Sequence, residues 1–282
     1  MDRHLTPPTA GGDPGGDPEL RGLLETIYRV YHHDFRNYAA QSVRRRISAA
    51  LIQIGCPSLA VLHDRVASEP AVFAALLRFL TVQVTDMFRD PEYFRALRSH
   101  VVPYLRTFAA LKVWVAGCAT GEEAYSLAIV LAEEGLLDRT LIYATDIHPE
   151  SLRIAQSGVY ELDRLAKFSE AYHQAGGKGS LSDYYAAAYS GAVLDRRLRK
   201  AIVFSDHSLA TDTVFAEVQL VSCRNVLIYF DRQLQDRALG VLRDALCHRG
   251  FLGLGIRETL RFSPLAPSFT ELDPDARIYQ RR

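Results

Sequence analysis

This chain of 282 residues lacks an excess of either charge, because its 33 lysines and arginines cancel its 33 aspartates and glutamates. No global positive field therefore attracts nucleic acid or an anionic membrane surface, which leaves room only for a local basic patch. Its four cysteines, Cys56, Cys118, Cys223 and Cys247, form no Cys-x-x-Cys pair. No segment resembles a signal peptide, and none is an apolar run of the ~20 residues that would insert into a bilayer. Together these absences point to a reducing cytoplasm. Nine histidines include no His-Glu-x-x-His and no His-x-His, so no metal site is expected. A Ser-His-Asp or Cys-His set is also missing, which counts against a hydrolase. What is present is a 48% hydrophobic composition, sufficient for the ordinary cores of one large domain or two smaller ones.

Residues 1–18, with Pro-Pro-Thr-Ala-Gly-Gly-Asp-Pro-Gly-Gly-Asp-Pro, read as a disordered leader. From 19 to 89 the apolar spacing is helical, with Leu20, Leu23, Leu24 and Ile27 followed by Ile47, Leu51 and Ile54 before Gly55 and Pro57, and predicts a small all-helical domain. Asp90 then Pro91 reads as an N-cap and first helical residue opening a connecting helix over 90–110. From 111 to 282 the pattern alternates. Strands are predicted at 112–116, 141–146, 200–204, 218–222 and 251–255, and helices at 122–134, 149–157 and 231–248. That alternation implies a doubly wound parallel sheet whose ligands bind at the carboxyl ends of its strands. The polar stretch 158–199 fits a helical or irregular insertion.

The most informative segment is Val-Trp-Val-Ala-Gly-Cys-Ala-Thr-Gly-Glu-Glu-Ala-Tyr-Ser, residues 113–126. An apolar strand meets Gly117 and Gly121, then opens into a helix beginning with Glu122 and Glu123. Glycines admit backbone angles closed to other residues and leave room for a ligand at the main chain. The loop lacks both the P-loop ending and the third glycine of the dinucleotide fingerprint. Asp146 ends the next strand, where such sheets place an acid to accept the hydroxyls of a ribose. A glycine turn and a ribose acid without phosphate-binding features suit a nucleoside lacking pyrophosphate, and S-adenosylmethionine fits.

Four segments together resemble the CheR-type chemotaxis-receptor methyltransferases: Thr-Val-Gln-Val-Thr-Asp-Met-Phe-Arg-Asp-Pro (81–91), Gly-Cys-Ala-Thr-Gly-Glu-Glu-Ala-Tyr-Ser (117–126), Ala-Thr-Asp-Ile (144–147) and Ser-Cys-Arg-Asn-Val-Leu-Ile-Tyr-Phe (222–230). The resemblance implies an S-adenosylmethionine-dependent methyltransferase α/β domain behind an all-helical domain. It further implies transfer of methyl groups to glutamates of a chemoreceptor's cytoplasmic domain, with S-adenosylhomocysteine as product. By the same resemblance Gln83, Thr85 and Arg89 reach the cofactor from the helical side, with glutamine standing where the family has asparagine. Gly117 belongs to the loop that leaves room for the cofactor at the main chain, and the resemblance gives Glu123 the methionine end, Asp146 the ribose, Ser208 and Leu209 the adenine, and Cys223 and Arg224 contacts to the cofactor largely through backbone. Arg89 and Tyr229 are the candidates for holding the substrate carboxylate, while Arg44, Arg45 and Arg46 are the candidate face toward the acidic receptor.

Two departures accompany the resemblance. The family's Gly-x-Ser-Glu reads Gly255-Ile256-Arg257-Glu258 here, and 158–199 shows no evident three-stranded antiparallel subdomain of the kind some members use to dock a receptor tail. A same-fold methyltransferase with another substrate, or a non-catalytic S-adenosylmethionine-binding regulator, are the alternative readings. The receptor and the oligomeric state are not written in the sequence.

Overall fold

The computed structural model describes residues 17–188 and 191–282, so the leader expected over 1–18 lies, up to residue 16, outside the described residues. Two compact units divide at Leu80 and Thr81.

The first unit is four helices, α1 (Pro18–Tyr31), α2 (Ala40–Ile54), α3 (Leu59–Ser68) and α4 (Pro70–Leu80). Asp17 caps α1 by accepting the Leu20 N–H at 3.2 Å, with Pro18 at the first helical position. The i, i+3, i+4, i+7 stripe of α1, Leu20, Leu23, Leu24 and Ile27, is buried, as are Val43, Ile47 and Ala50 of α2. Tyr31 stacks on Phe73 with centroids 3.8 Å apart while its hydroxyl donates to the Val66 carbonyl, tying α1 to α3 and α4.

The second unit begins earlier than the sequence pattern implies, since 81–89 belongs to it rather than to the helical domain. The expected helix over 90–110 is three pieces: α5 (Pro91–Ala96), a π turn at Leu97–Val101 and α6 (Val102–Leu105). Pro103 lacks the N–H that a continuous helix would need from it, and a π turn just before it breaks the ladder. Beyond these lie β1 (Leu111–Ala116), α7 (Glu122–Glu133), β2 (Thr140–Asp146), α8 (Pro149–Ser157), β3 (Val159–Tyr160), α9 (Leu165–Gln174), β4 (Tyr185–Ala188), β5 (Gly191–Leu194), α10 (Arg196–Lys200), β6 (Ile202–Asp206), β7 (Val218–Cys223), α11 (Arg232–Ala245), β8 (Leu246–Leu254), β9 (Phe269–Asp273) and β10 (Ile278–Arg281).

Seven strands form one sheet in the order β6-β2-β1-β7-β8-β10-β9. The first five run parallel and β10 is antiparallel to both its neighbours. The chain winds outward from β1 through β2 to β6 and then returns to place β7 on the other side of β1. That reversal opens a crevice at the strand ends between β1 and β7. Helix α7 is buried almost all round, from Ala124 to Leu131, because it packs over Val113, Val115, Ile142 and Ala144 of the central strands. The doubly wound sheet behind an all-helical unit is the expected fold.

Three local readings change. Residues 158–199 hold the three-stranded antiparallel sheet β3-β5-β4, besides α9 and α10. Strands of two and four residues rich in alanine and tyrosine are too short to show a period of two in the sequence. Helix α11 stops at Ala245, and Leu246 to Leu254 are strand; Arg249 at φ 60° marks the kink within it. The carboxyl-terminal β9 and β10 complete the sheet edge without having been foreseen.

Glycine positions give a test with opposite signs. A Cβ at Gly253 would lie under 3.0 Å from the buried Tyr93 ring, whereas one at Gly240, inside α11, meets nothing nearer than Leu265 at 4.0 Å. Gly253→Ala should therefore lower stability by about 1–3 kcal/mol through overpacking, and Gly240→Ala should raise it by about 0.5–1 kcal/mol through helix propensity. Urea unfolding of the two variants beside the parent chain checks both signs.

Candidate functional site

At the carboxyl end of β1 the chain folds back on β2. The N–H groups of Gly117 and Cys118 both donate to the Thr145 carbonyl, at 2.8 and 2.9 Å, and Ala119 N–H donates to Asp146 Oδ2 at 2.8 Å. The other Asp146 oxygen accepts the His148 N–H at 3.0 Å. His148, not Asp146, caps α8: its Nδ1 accepts the Ser151 N–H at 3.1 Å. Burial pushes the Asp146 carboxyl up from its ordinary range and these backbone donors oppose the shift. Three backbone N–H groups, of Ala119, His148 and Ile147, thus face a carboxylate with roughly four acceptor positions, which leaves room for a further ligand donor. Gly117 has φ 73°, and a Cβ there would lie under 3.0 Å from the Val226 side chain. Glycine is needed at 117 to let the loop after β7 pack against the loop after β1.

The two carboxylates opening α7 have separate partners. Glu122 is fully buried; it accepts from Thr120 Oγ1 at 2.6 Å and from Arg164 Nη1 at 2.8 Å, and burial raises its pKa. Glu123 faces the crevice with 12% of its side chain exposed. Its Oε1 accepts the Ser222 hydroxyl at 2.7 Å and its Oε2 accepts Arg224 Nη1 at 3.0 Å. Since the Ser222 proton goes to Glu123, the Tyr93 hydroxyl, 2.9 Å from Ser222 Oγ, is the donor of that pair.

Arg224 is the centre of this arrangement. Its side chain is 0% exposed, and its Nη2 donates to the Arg89 carbonyl at 2.9 Å and to Asp90 Oδ2 at 2.8 Å. The guanidinium carbon sits 4.2 Å from the Tyr93 ring centroid. This pairing of the Arg224 side chain is additional to the backbone contact expected from the sequence. Asp90 is no cap: it has φ 56°, makes no side-chain bond to α5, and pairs with Arg224 instead. One buried cation faced by two carboxylates leaves an excess negative charge here.

Residues 81–90 form a strap fixed along its length. Ser151 Oγ donates to Gln83 Oε1, Arg164 Nη2 donates to the Thr85 carbonyl at 2.6 Å, and Lys167 Nζ meets Asp86 at 2.7 Å. Phe88 N–H donates to Ser126 Oγ of α7 at 2.8 Å. Arg89, by contrast, makes one long bond to the Val84 carbonyl at 3.4 Å. No carboxylate among the described residues pairs with it, Asp86 and Asp90 being held by other cations. Seven non-glycine residues among those described have positive φ, and four of them, Phe88, Asp90, Ala119 and Asn225, lie on the strap and the two strand-end loops. Such conformations cost of order 1–3 kcal/mol each and cluster where a site is shaped.

Ser208 and Leu209 begin two residues past Asp206, the β6 partner of Asp146; Ser208 N–H donates to Asp212 at 2.8 Å and Leu209 is buried. Tyr229 is half-buried in a 3-10 turn, Leu227–Tyr229, rather than packed in the core. Cys223 is fully buried and its thiol is pushed up by burial, then by Glu258 and Glu123, so it is held protonated. Glu258 was not singled out by the sequence. It is buried, and its carboxylate accepts the N–H groups of Gly255 at 2.6 Å, Asn225 at 2.9 Å and Ile228 at 3.3 Å, pinning the loops after β7 and β8 together. Its signal is the Glu retained in Gly-x-x-Glu. In the first unit the basic run separates: Arg46 donates to the Leu80 carbonyl at 2.6 Å, Arg44 lies 3.9 Å from Asp17, and Arg45 is exposed.

Comparison with known proteins adds the following. The model of the CheR methyltransferase SAM-binding domain matches residues 83–273 and that of the CheR methyltransferase all-alpha domain matches residues 18–81. A Pseudomonas putida protein named Cher3 is 52% identical over 94% of this chain and 97% of its own length. The chemotaxis protein methyltransferase of Salmonella typhimurium is 32% identical over 90% of this chain and 87% of its length. Chemotaxis protein methyltransferase 2 of Pseudomonas aeruginosa is 31% identical over 78% and 79%.

Because Cys56, Cys118, Cys223 and Cys247 are all buried, the native chain should react only slowly with a thiol reagent at pH 8, and all four thiols should titrate rapidly in denaturant. A fast-reacting native thiol would contradict the placement of at least one of them.

Proposed function

From the premise that this chain belongs to the CheR methyltransferase family, we propose that it esterifies glutamate side chains. The acceptors are in the cytoplasmic domain of a chemoreceptor or chemoreceptor-like signalling protein. S-adenosylmethionine is the cofactor, and when bound it supplies a methyl group on a sulfonium, an electrophile that a carboxylate can displace.

The observation that carries the reading is Arg89. A guanidinium without a carboxylate partner among the described residues lies on a strap whose next residue is locked onto Arg224. Its planar fork can hold a carboxylate through two hydrogen bonds. A glutamate with a reference pKa of ~4.3 is already ionised at neutral pH, so no general base is required of the protein. Desolvation would raise that pKa, and donation by Arg89, assisted by Tyr229, keeps the carboxylate ionised and aimed. Asp146 accepts the ribose hydroxyls, with Ser208 and Leu209 beside the adenine and Gln83 and Thr85 closing over the cofactor. The Asp90, Glu123 and Arg224 cluster draws in the cationic amino-acid end. Arg45, exposed on α2, remains the member of the basic run best placed to meet an acidic partner.

Incubation with S-adenosylmethionine labelled in its methyl group and a panel of receptor cytoplasmic domains tests this directly. Label should enter a receptor domain and leave it in mild base, as an ester does. Arg89→Ala should lower turnover by ~100-fold, about 2.7 kcal/mol of barrier, with cofactor affinity nearly unchanged. Arg89→Lys should rescue poorly, because the ammonium lacks the two-point grip. Base-stable label, or a lysine variant near the parent rate, would overturn the assignment.

A further inference from the structure

We infer that the loops following β7 and β8 form a docking rim for an acidic amphipathic helix, the segment that carries the acceptor glutamate. The inference rests on the proposed glutamate transfer and adds the surface that reads its surroundings. Both loops leave adjacent parallel strands, Cys223 pairing with Leu254, at the same carboxyl end of the strands as Gly117 and Asp146. Gly255 abuts Asn225 so closely that a Cβ would lie 2.8 Å from the Asn225 nitrogens, and Glu258 holds both loops by their N–H groups. The two loops are therefore held together where they leave the sheet.

What they display is unusual for solvent-facing loops. Ile228 is 37%, Ile256 49% and Phe262 70% exposed. Isolated exposed apolar side chains need no explanation, but these three share two clamped loops. Between Gly255 and Ser263 the exposed residues are Ile256, Arg257, Arg261 and Phe262, while Glu258 and Leu260 point inward. Neither Arg257 nor Arg261 has an ion-pair partner among the described residues, although Arg232 nearby is paired with Asp236. Two acids of α11 are engaged elsewhere: Asp231 caps the helix through the Leu234 N–H and Asp236 accepts the Ser263 hydroxyl. Two apolar-arginine pairs flanking a buried turn match a helix with leucines along one stripe and glutamates beside it, since an apolar face in a groove gives affinity and opposite charge fixes register. Arg257 stands where the family resemblance has serine, so this chain has placed a cation at the rim.

The test uses the full chain with S-adenosylhomocysteine present and a fluorescent synthetic helix bearing leucines on one face and glutamates beside them. Anisotropy should show saturable binding that weakens as salt is raised, with the lysine counterpart of the helix at least tenfold weaker. The double variant Arg257→Glu with Arg261→Glu, and separately Phe262→Ser, should each weaken binding tenfold or more, leaving cofactor affinity and melting temperature unchanged. Arg196→Glu, exposed on α10, should bind as the parent does. Binding by the double variant within twofold of the parent, or no binding by the parent, overturns the rim. Methyl label measured on the same helix separates the two ideas: equal labelling by parent and double variant leaves glutamate transfer standing without the rim, whereas rim-dependent binding with no label leaves the rim standing without glutamate transfer.

Discussion

A guanidinium buried to zero exposure must find carboxylates, and most of the site's geometry follows from how Arg224 finds them. Burying a charge costs several kcal/mol that only close pairing with good geometry can offset. Arg224 meets that demand with Glu123 from the first turn of α7, Asp90 and the Arg89 carbonyl from the strap, and the Tyr93 ring from α5. Three segments distant in sequence, 89–93, the start of α7 and the end of β7, are thereby drawn to one point. Asp90 adopts φ 56° in this arrangement, and Arg89, fixed by its own carbonyl, has no carboxylate partner among the described residues.

The same logic recurs around the crevice. Each loop at a strand end is held by a buried carboxylate that accepts backbone N–H groups: Asp146 for the loop after β1, Glu258 for the loops after β7 and β8. Glu122, buried against Arg164, fastens the strap from its other side through Thr85. Buried acids organise the backbone, while the groups left with spare hydrogen-bonding capacity, Asp146 and Arg89, are those assigned to ribose and substrate. A preorganised site of this kind needs little rearrangement when charge shifts during methyl transfer.

The glycine turn, Asp146 and the strap's Gln-x-Thr-x-x-x-Arg are legible in the sequence because strand-turn-helix patterns and acids at strand ends are local signals. The parallel sheet is legible for the same reason, through alternating periods along the chain. What the sequence conceals depends on long-range partners. Asp90 before Pro91 has every local mark of a cap, and only Arg224, more than a hundred residues away, explains why it serves another purpose. The sheet β3-β5-β4 is hidden because its strands are too short for periodicity, and the strap's membership of the second unit is set by bonds to Ser126, Ser151 and Arg164 that no neighbouring residue announces.

A double-mutant cycle on Arg224 and Glu123, using Arg224→Met and Glu123→Gln with unfolding free energy as the readout, tests the central claim most directly. If the buried pair organises the site, Arg224→Met leaves Glu123 and Asp90 without their buried cation, a loss of about 3–5 kcal/mol, whereas Glu123→Gln keeps Arg224 paired with Asp90 and should cost less. The double variant should then be markedly less destabilised than the sum of the singles, with a coupling of about 0.5–3 kcal/mol. Strict additivity would contradict the account, because it would mean that Arg224 and Glu123 stabilise the fold independently of each other.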